Sequence, residues 1–168
     1  MNLIFLFFML FGCSKKNPIT WEECNNVVGD HPCDFTLVDQ KDQQWNLYKN
    51  YGKIIVLDFS TEWCHFCHLA AEEIAHIEKT YENVIYVTIL LEDRMGNPTT
   101  LNVVQEWAAR FGIENSPVLI GTHELNWDYE GLPTFYIINE KMVVAKKMRG
   151  FAPNMVEKEI QDVINSSK

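Results

Sequence analysis

Basic residues are scarce in this sequence of 168 residues. Lysine and arginine number 14 against 23 aspartate and glutamate residues, which gives a formal net charge of −9. No lysine-rich or arginine-rich stretch is present, whereas a nucleic-acid-binding domain normally carries a clustered basic patch. The composition therefore argues against a nucleic-acid partner. The content of 47% hydrophobic and 22% charged residues is that of an ordinary folded domain.

The sequence also has no internal repeats, low-complexity runs or linker-like stretches. Its length suits a single domain with a substantial hydrophobic core. Short apolar runs alternate with segments in which apolar residues recur at helical spacing, and a strand pair and a closing helix follow. This order predicts an α/β domain over residues 35–168, with a central mixed sheet, helices on both of its faces and a short strand pair at its N-terminal end.

The apolar run at the N-terminus, "MNLIFLFFMLFG", is too short to cross a bilayer, which takes about 20 residues. Its length suits the apolar part of a secretion signal. Cys13 and the polar "SKKN" follow it directly, and this arrangement resembles a bacterial lipoprotein signal. We therefore expect residues 1–12 to be a signal peptide and Cys13 to carry lipid, which would anchor an extracytoplasmic domain in the periplasm or on the outer cell surface. Simple secretion, or an added segment that is foreign to the natural chain, is the alternative.

If Cys13 carries lipid, the other four of the five cysteines are available to form disulfides. The remaining four form two close pairs, Cys24 with Cys33 and Cys64 with Cys67. An even number of cysteines in close pairs fits an oxidising compartment. Residues 13–34 then form a lipidated N-terminus, a polar tether and a loop, in which we expect Cys24 and Cys33 to form a structural disulfide. The alternatives are a second redox pair that relays electrons, two reduced thiols, or a bond to a partner protein.

The stretch "VLDFSTEWCHFC", residues 56–67, holds the candidate chemistry. Two cysteines separated by two residues form a small disulfide or share a metal, but a structural zinc site needs four ligands and no suitable second pair is evident. Cys64 lies where an apolar strand ends and a helix begins, and a helix N-terminus lowers the pKa of a thiol. Cys64 is therefore the expected attacking thiolate. Cys67, one turn later, is the expected resolving thiol.

Asp58 is an acid within the apolar run "IIVLDF". Burial disfavours a carboxylate and raises its pKa, so a carboxyl beneath the cysteine turn could transfer a proton during resolution. A strand-end aspartate that faces water or caps a turn is the alternative. His65, between the cysteines, either favours the thiolate when protonated or points into solvent.

"VLDFSTEWCHFC" resembles the active-site stretch of thioredoxin-fold proteins, and "GLPTFYIIN" resembles their second hallmark, a cis-proline before a core strand. The resemblance covers roughly residues 35–165 and implies that Pro133 is the cis-proline, close to Cys64 in space. It further implies that Leu132 and Thr134 pair with substrate. The lipoprotein-like start and the extra strand and helix before Pro133 make the chain most similar to the TlpA/ResA-like branch.

This resemblance implies a thiol–disulfide oxidoreductase whose only redox centre is the cysteine pair, without an organic cofactor or a metal. Its partners would be protein thiols and disulfides, including apocytochromes, together with an upstream electron-exchange partner; we expect a monomer. A reductant is favoured over an oxidase or isomerase. A copper carrier on the same fold is a further alternative, for which His123 is the only candidate distant ligand.

Two tryptophans complete the candidate residues. Trp63 precedes Cys64 and is expected to cover the active site and to contact substrate. Trp127 lies, together with His123, in the less decided stretch "GTHELNWDYEG", where filling the core or a loop is favoured for both residues over contact with a partner. In the first helix, the spacing of five apolar residues predicts a buried stripe, namely Phe66, Ala70, Ile74, Ile77 and Tyr81.

Overall fold

The computed structural model describes Trp21 and residues 23–166. The predicted signal peptide and the predicted lipid site at Cys13 lie outside the described residues. These described residues form seven strands and three α-helices: β1 Thr36–Val38, β2 Gln44–Asn46, β3 Ile54–Ser60, α1 His65–Thr80, β4 Val84–Leu90, α2 Leu101–Phe111, β5 Val118–Ile120, β6 Thr134–Ile138, β7 Val144–Arg149 and α3 Met155–Ser166. A short 3-10 helix spans Tyr48–Asn50.

The five strands β3 to β7 form one mixed sheet in the order β5-β4-β3-β6-β7. β3 is parallel to β4 and antiparallel to β6, so it occupies the centre. All seven of its residues are buried, as a continuous apolar run covered on both faces requires. β1 and β2 form a separate antiparallel pair. The predicted mixed α/β architecture with an N-terminal strand pair is confirmed.

Side chains of β3 alternate between two hydrophobic clusters. Ile54 and Val56 pack on the side of the sheet that holds buried residues of all three α-helices, including Ile74 and Ile160. Ile55, Leu57 and Phe59 of the same strand pack on the other side. That side is covered by the strand pair, the 3-10 helix and residues 121–132, which we call the pre-proline segment.

The distribution of the helices therefore corrects one detail of the prediction. Helices on both faces were expected, but among the described residues the second face carries only the short 3-10 helix. The physical reason is that other apolar side chains already bury this face, among them Phe35, Leu47 and Trp127. Within the described ranges, none of the helices combines the length and the apolar character that crossing a lipid bilayer requires.

The first helix differs from the predicted stripe at one position. Ala70, Ile74 and Ile77 are buried as expected and Tyr81 is partly buried, whereas Phe66 is 54% exposed. Cys67 takes the buried place in the first turn instead, with no exposed surface. Phe66 therefore adds apolar surface beside the cysteines.

Candidate active site

The cysteine pair lies at the N-terminus of α1, where β3 has just ended. Cys64 is the N-cap residue and Cys67 lies in the first turn, and the two are joined in a disulfide. The backbone N–H of Cys67 donates to Cys64 Sγ at 3.2 Å. The same N–H also donates to the Cys64 carbonyl at 3.1 Å, so it is shared between the two acceptors. Together with the helix dipole, this donor can stabilise negative charge on the sulfur once the pair is reduced.

The two cysteine residues differ in accessibility. Cys64 retains 7% exposure, whereas Cys67 has none. Two large apolar side chains next to them face outward, Trp63 at 55% and Phe66 at 54% exposed. A partner protein can therefore approach Cys64 over an apolar rim, while Cys67 is shielded from external thiols.

Pro133 lies at the same edge of the sheet. The Leu132–Pro133 peptide bond is cis, as the resemblance implied. Thr134, the first residue of β6, pairs with Phe59 near the end of β3, immediately before the cysteine turn. Leu132 packs against the cluster that contains Cys64. The structure thus brings the proline and its neighbours to the cysteine turn, although sixty-odd residues of sequence separate them.

Asp58 lies on the face of β3 that packs against α1, two residues after Val56, and is completely buried. The Ser60 hydroxyl donates to its Oδ1 at 2.7 Å and the Tyr86 hydroxyl to its Oδ2 at 3.3 Å. Burial raises the pKa of Asp58 from 3.8 to about 7, and these two hydrogen bonds, which lower the pKa, do not offset it. The carboxyl can therefore gain or lose a proton near neutral pH.

The residues just before Cys64 are fixed by contacts that the sequence did not reveal. Glu62 is only 8% exposed, and its Oε1 accepts from Arg94 Nε at 2.8 Å and lies 3.5 Å from Arg110 Nη2. The Glu62 carbonyl accepts from His68 Nε2 at 2.7 Å. These contacts tie the cysteine turn to α1, to α2 and to the loop after β4. The position of the turn is therefore fixed by contacts with three segments of the chain.

The two residues of the undecided stretch take different roles. Trp127 is 7% exposed and packs against Phe59 and Tyr136, so the prediction that it fills the core is confirmed. His123 is exposed and bonded to Glu92 and Tyr129. His65, between the cysteines, is exposed and lies against Phe66.

Cys24 and Cys33 are joined in a second disulfide, which closes a loop with a sequence separation of nine residues. Inside this loop, Asn26 accepts from the Cys33 backbone N–H and donates to the Asn126 carbonyl. The loop is thereby attached to the pre-proline segment.

No group of three or more histidine, cysteine, aspartate or glutamate side chains suited to a metal occurs in the part of the chain that the structure describes.

Several residues of the site were not predicted; besides Glu62, they include Ser60, Tyr86 and Glu92. Ser60 could have been found, because it lies two residues after Asp58 on a strand and therefore shares its face. Tyr86 depends on the pairing of β3 with β4, in which Val56 is opposite Tyr86. Glu92 depends on contacts between loops, for which the sequence contains no periodic signal.

Comparison with known proteins agrees with this arrangement. A profile of the AhpC/TSA family matches residues 28–147. Thioredoxin H4-2 of Oryza sativa subsp. japonica is 29% identical over 117 residues, which cover 69% of this chain and 67% of that relative.

Solved structures show a similar fold over about three quarters of the chain. A thiol:disulfide interchange protein of the thioredoxin family from Chlorobium tepidum superposes with a TM-score of 0.66 at 20% identity, covering 78% of this chain and 93% of that one. The exposed lipoprotein thioredoxin Etrx1 of Streptococcus pneumoniae superposes with a TM-score of 0.63, also at 20% identity, covering 77% and 99%. These likenesses confirm the predicted thioredoxin-like fold.

Proposed function

Because this chain belongs to the AhpC/TSA family of thioredoxin-fold proteins, we propose that it reduces disulfides of partner proteins outside the cytoplasm. It is a thioredoxin-like thiol–disulfide oxidoreductase with a Cys-x-x-Cys pair. The observation that carries the proposal is the placement of this pair: Cys64 caps α1, keeps some exposure and lies at the sheet edge that also holds Pro133.

The proposed reaction begins with the reduced pair. The Cys64 thiolate attacks one sulfur of a substrate disulfide, which forms a mixed disulfide and releases the other substrate sulfur as a thiolate that takes up a proton. Cys67 then loses its proton and attacks Cys64 Sγ. The Cys64–Cys67 disulfide forms, and the second substrate thiol leaves. Two electrons pass from the cysteine pair to the substrate, and an upstream thiol donor must restore the reduced pair.

Asp58 is the proposed proton acceptor of the second step. A base with a pKa close to the working pH is the most effective general base, and burial places Asp58 in that range at about 7. Its position on the α1 side of β3 supports a role towards Cys67, which is buried on the same side. The acid would later return the proton to solvent or to a leaving thiolate.

The substrate is proposed to bind as an extended chain beside Pro133. The backbone of Leu132 and Thr134 would hold it, and Trp63 would contact it from the opposite side. The exposure of Trp63 and Phe66 supports an apolar contact with an unfolded or flexible polypeptide. Protein thiols and disulfides of secreted or membrane-facing proteins, apocytochromes among them, are the proposed substrate class.

An extracytoplasmic place is supported by the lipoprotein-like sequence that ends at Cys13 and by the Cys24–Cys33 disulfide, since such bonds persist in oxidising compartments. One structural neighbour is itself described as an exposed lipoprotein. We propose that lipid on Cys13 holds the domain at the membrane surface. Mass spectrometry of the protein purified from membranes would test this, and an unmodified Cys13 would contradict it.

Two measurements test the reaction itself. The reduction potential of Cys64–Cys67 against glutathione is expected near the thioredoxin value of about −270 mV, and a value near about −120 mV would instead indicate an oxidase. The variant Cys67→Ser is expected to accumulate mixed disulfides with partner proteins, which Cys64→Ser would not form. Absence of such adducts would contradict the assignment of Cys64 as the attacking thiol.

A further inference from the structure

Three separate parts of the chain meet next to the cysteine turn. Trp63 belongs to the turn, Glu92 follows β4, and His123 belongs to the pre-proline segment. Trp63 Nε1 donates to Glu92 Oε2 at 2.7 Å, and His123 Nε2 donates to Glu92 Oε1 at 3.1 Å. One carboxylate thus joins the turn to the pre-proline segment, and we call these three side chains the clasp.

The clasp continues towards the proline. His123 Nδ1 lies 3.0 Å from the Tyr129 hydroxyl, and because Nε2 carries the proton in the neutral ring, Nδ1 accepts from that hydroxyl. The Tyr129 ring stacks on Phe59 with ring centroids 5.0 Å apart. Phe59 in turn pairs with Thr134, the residue after Pro133. Contacts therefore run without interruption from the cysteine turn to the strand that follows the proline.

The clasp lies at the surface and not in the core. The side chain of Glu92 is 24% exposed and that of His123 56% exposed. The pre-proline segment contains no regular helix or strand, so its position depends on contacts of this kind. A carboxylate that accepts from two different segments fixes their separation, and hydrogen bonds to a charged acceptor are stronger than neutral ones.

We propose that Glu92 is a positioning residue that makes the enzyme selective for polypeptide disulfides. The clasp holds Trp63 against the pre-proline segment, which leads into Pro133. Trp63 and the backbone beside Pro133 are the two proposed contacts of the substrate chain, so the clasp sets their relative position. A small disulfide has no chain to place and needs only to reach Cys64. Loss of the clasp therefore slows the reaction with a polypeptide and leaves the reaction with a small disulfide unchanged. The inference rests on the proposed function.

The test compares two substrates of the reduced protein by stopped flow: insulin, a polypeptide disulfide, and 5,5′-dithiobis-(2-nitrobenzoate), a small one. Glu92→Ala is expected to lower the second-order rate constant for insulin about three- to tenfold, the equivalent of one or two hydrogen bonds. The constant for the small disulfide is expected to stay within about twofold, which also shows that the variant is folded.

Two further variants separate positioning from charge. Glu92→Gln is expected to restore most of the insulin rate, because its amide oxygen accepts from Trp63 and its amide nitrogen donates to His123 in the other tautomer. Glu124→Ala is the matched control, since Glu124 is exposed in the same segment and its side chain forms no hydrogen bond or ion pair with another described residue. It removes the same charge and is expected to leave both rates unchanged.

His123→Ala breaks the clasp from its other end and is expected to give the same selective loss. Combined with Glu92→Ala, it should add little, because both changes remove one coupled unit. If Glu92→Ala slows both substrates equally, or slows neither, the positioning role is wrong while the oxidoreductase function stands. If the unchanged protein reduces neither substrate, the proposed function fails and this inference fails with it.

Discussion

Replacement of Asp58 by asparagine is expected to stabilise the protein at alkaline pH. The asparagine side chain has nearly the same shape and could keep hydrogen bonds with Ser60 and Tyr86, but it cannot ionise. In the folded protein the pKa of Asp58 is about 7 instead of 3.8, so the folded state binds this proton more tightly than the unfolded chain does. The stabilisation by that proton is complete below pH 3.8 and is lost as the pH rises through about 7.

The magnitude follows from the interval between the two pKa values, 3.8 and about 7. Each pH unit corresponds to about 1.4 kcal/mol, so wild type is expected to lose about 4 kcal/mol relative to Asp58→Asn between pH 4 and pH 8. Urea unfolding of both oxidised proteins across this range measures the difference. Asp42→Asn, at an exposed position, is the control and is expected to show no such dependence. A difference between wild type and Asp58→Asn that does not change with pH would refute a buried carboxyl with a raised pKa.

Three other variants probe the surroundings of the site. Replacing Cys24 and Cys33 by serine is expected to lower the free energy of unfolding by about 2–3 kcal/mol, measured with urea; a loss below about 0.5 kcal/mol would contradict a structural disulfide. Gly121→Ala would place Cβ 2.7 Å from the Leu90 carbonyl oxygen and is expected to cost about 1–3 kcal/mol, so unchanged stability would contradict this close contact. Tyr86→Phe removes a hydrogen bond that lowers the pKa of the buried carboxyl. In this variant the infrared band of the Asp58 carboxyl should therefore titrate at higher pH than in wild type. An unchanged midpoint would contradict the hydrogen bond from Tyr86 to Asp58.

The central part of the fold could be predicted because its signals are local. "KIIVLDFS" is apolar almost throughout, as a strand covered on both faces must be, and the change to helical spacing after Cys64 marks the start of α1. The site shares this advantage, since Asp58, Cys64 and Cys67 lie within ten residues on consecutive elements. The position of Pro133 close to Cys64 was predicted from the resemblance to thioredoxin-fold proteins, not from a local sequence pattern.

The features that the sequence did not predict depend on contacts between segments that are distant in the chain. Helical periodicity shows that a helix has a buried side, but not which face of the sheet it covers, and the three helices share one face. Phe66 fits the apolar period of α1, yet it faces outward because the first turn of the helix buries Cys67. Glu92 and His123 are polar residues in irregular segments, so only the folded structure reveals that they bind each other.

The central claim is that the start of α1 stabilises the Cys64 thiolate, and alkylation tests this most directly. The reduced protein would be treated with iodoacetamide from pH 4 to pH 9, and modification of Cys64 followed by mass spectrometry. Half of the maximal rate is expected at or below about pH 7, well under the value of about 8.5 for free cysteine. A midpoint close to that of free cysteine would contradict the account.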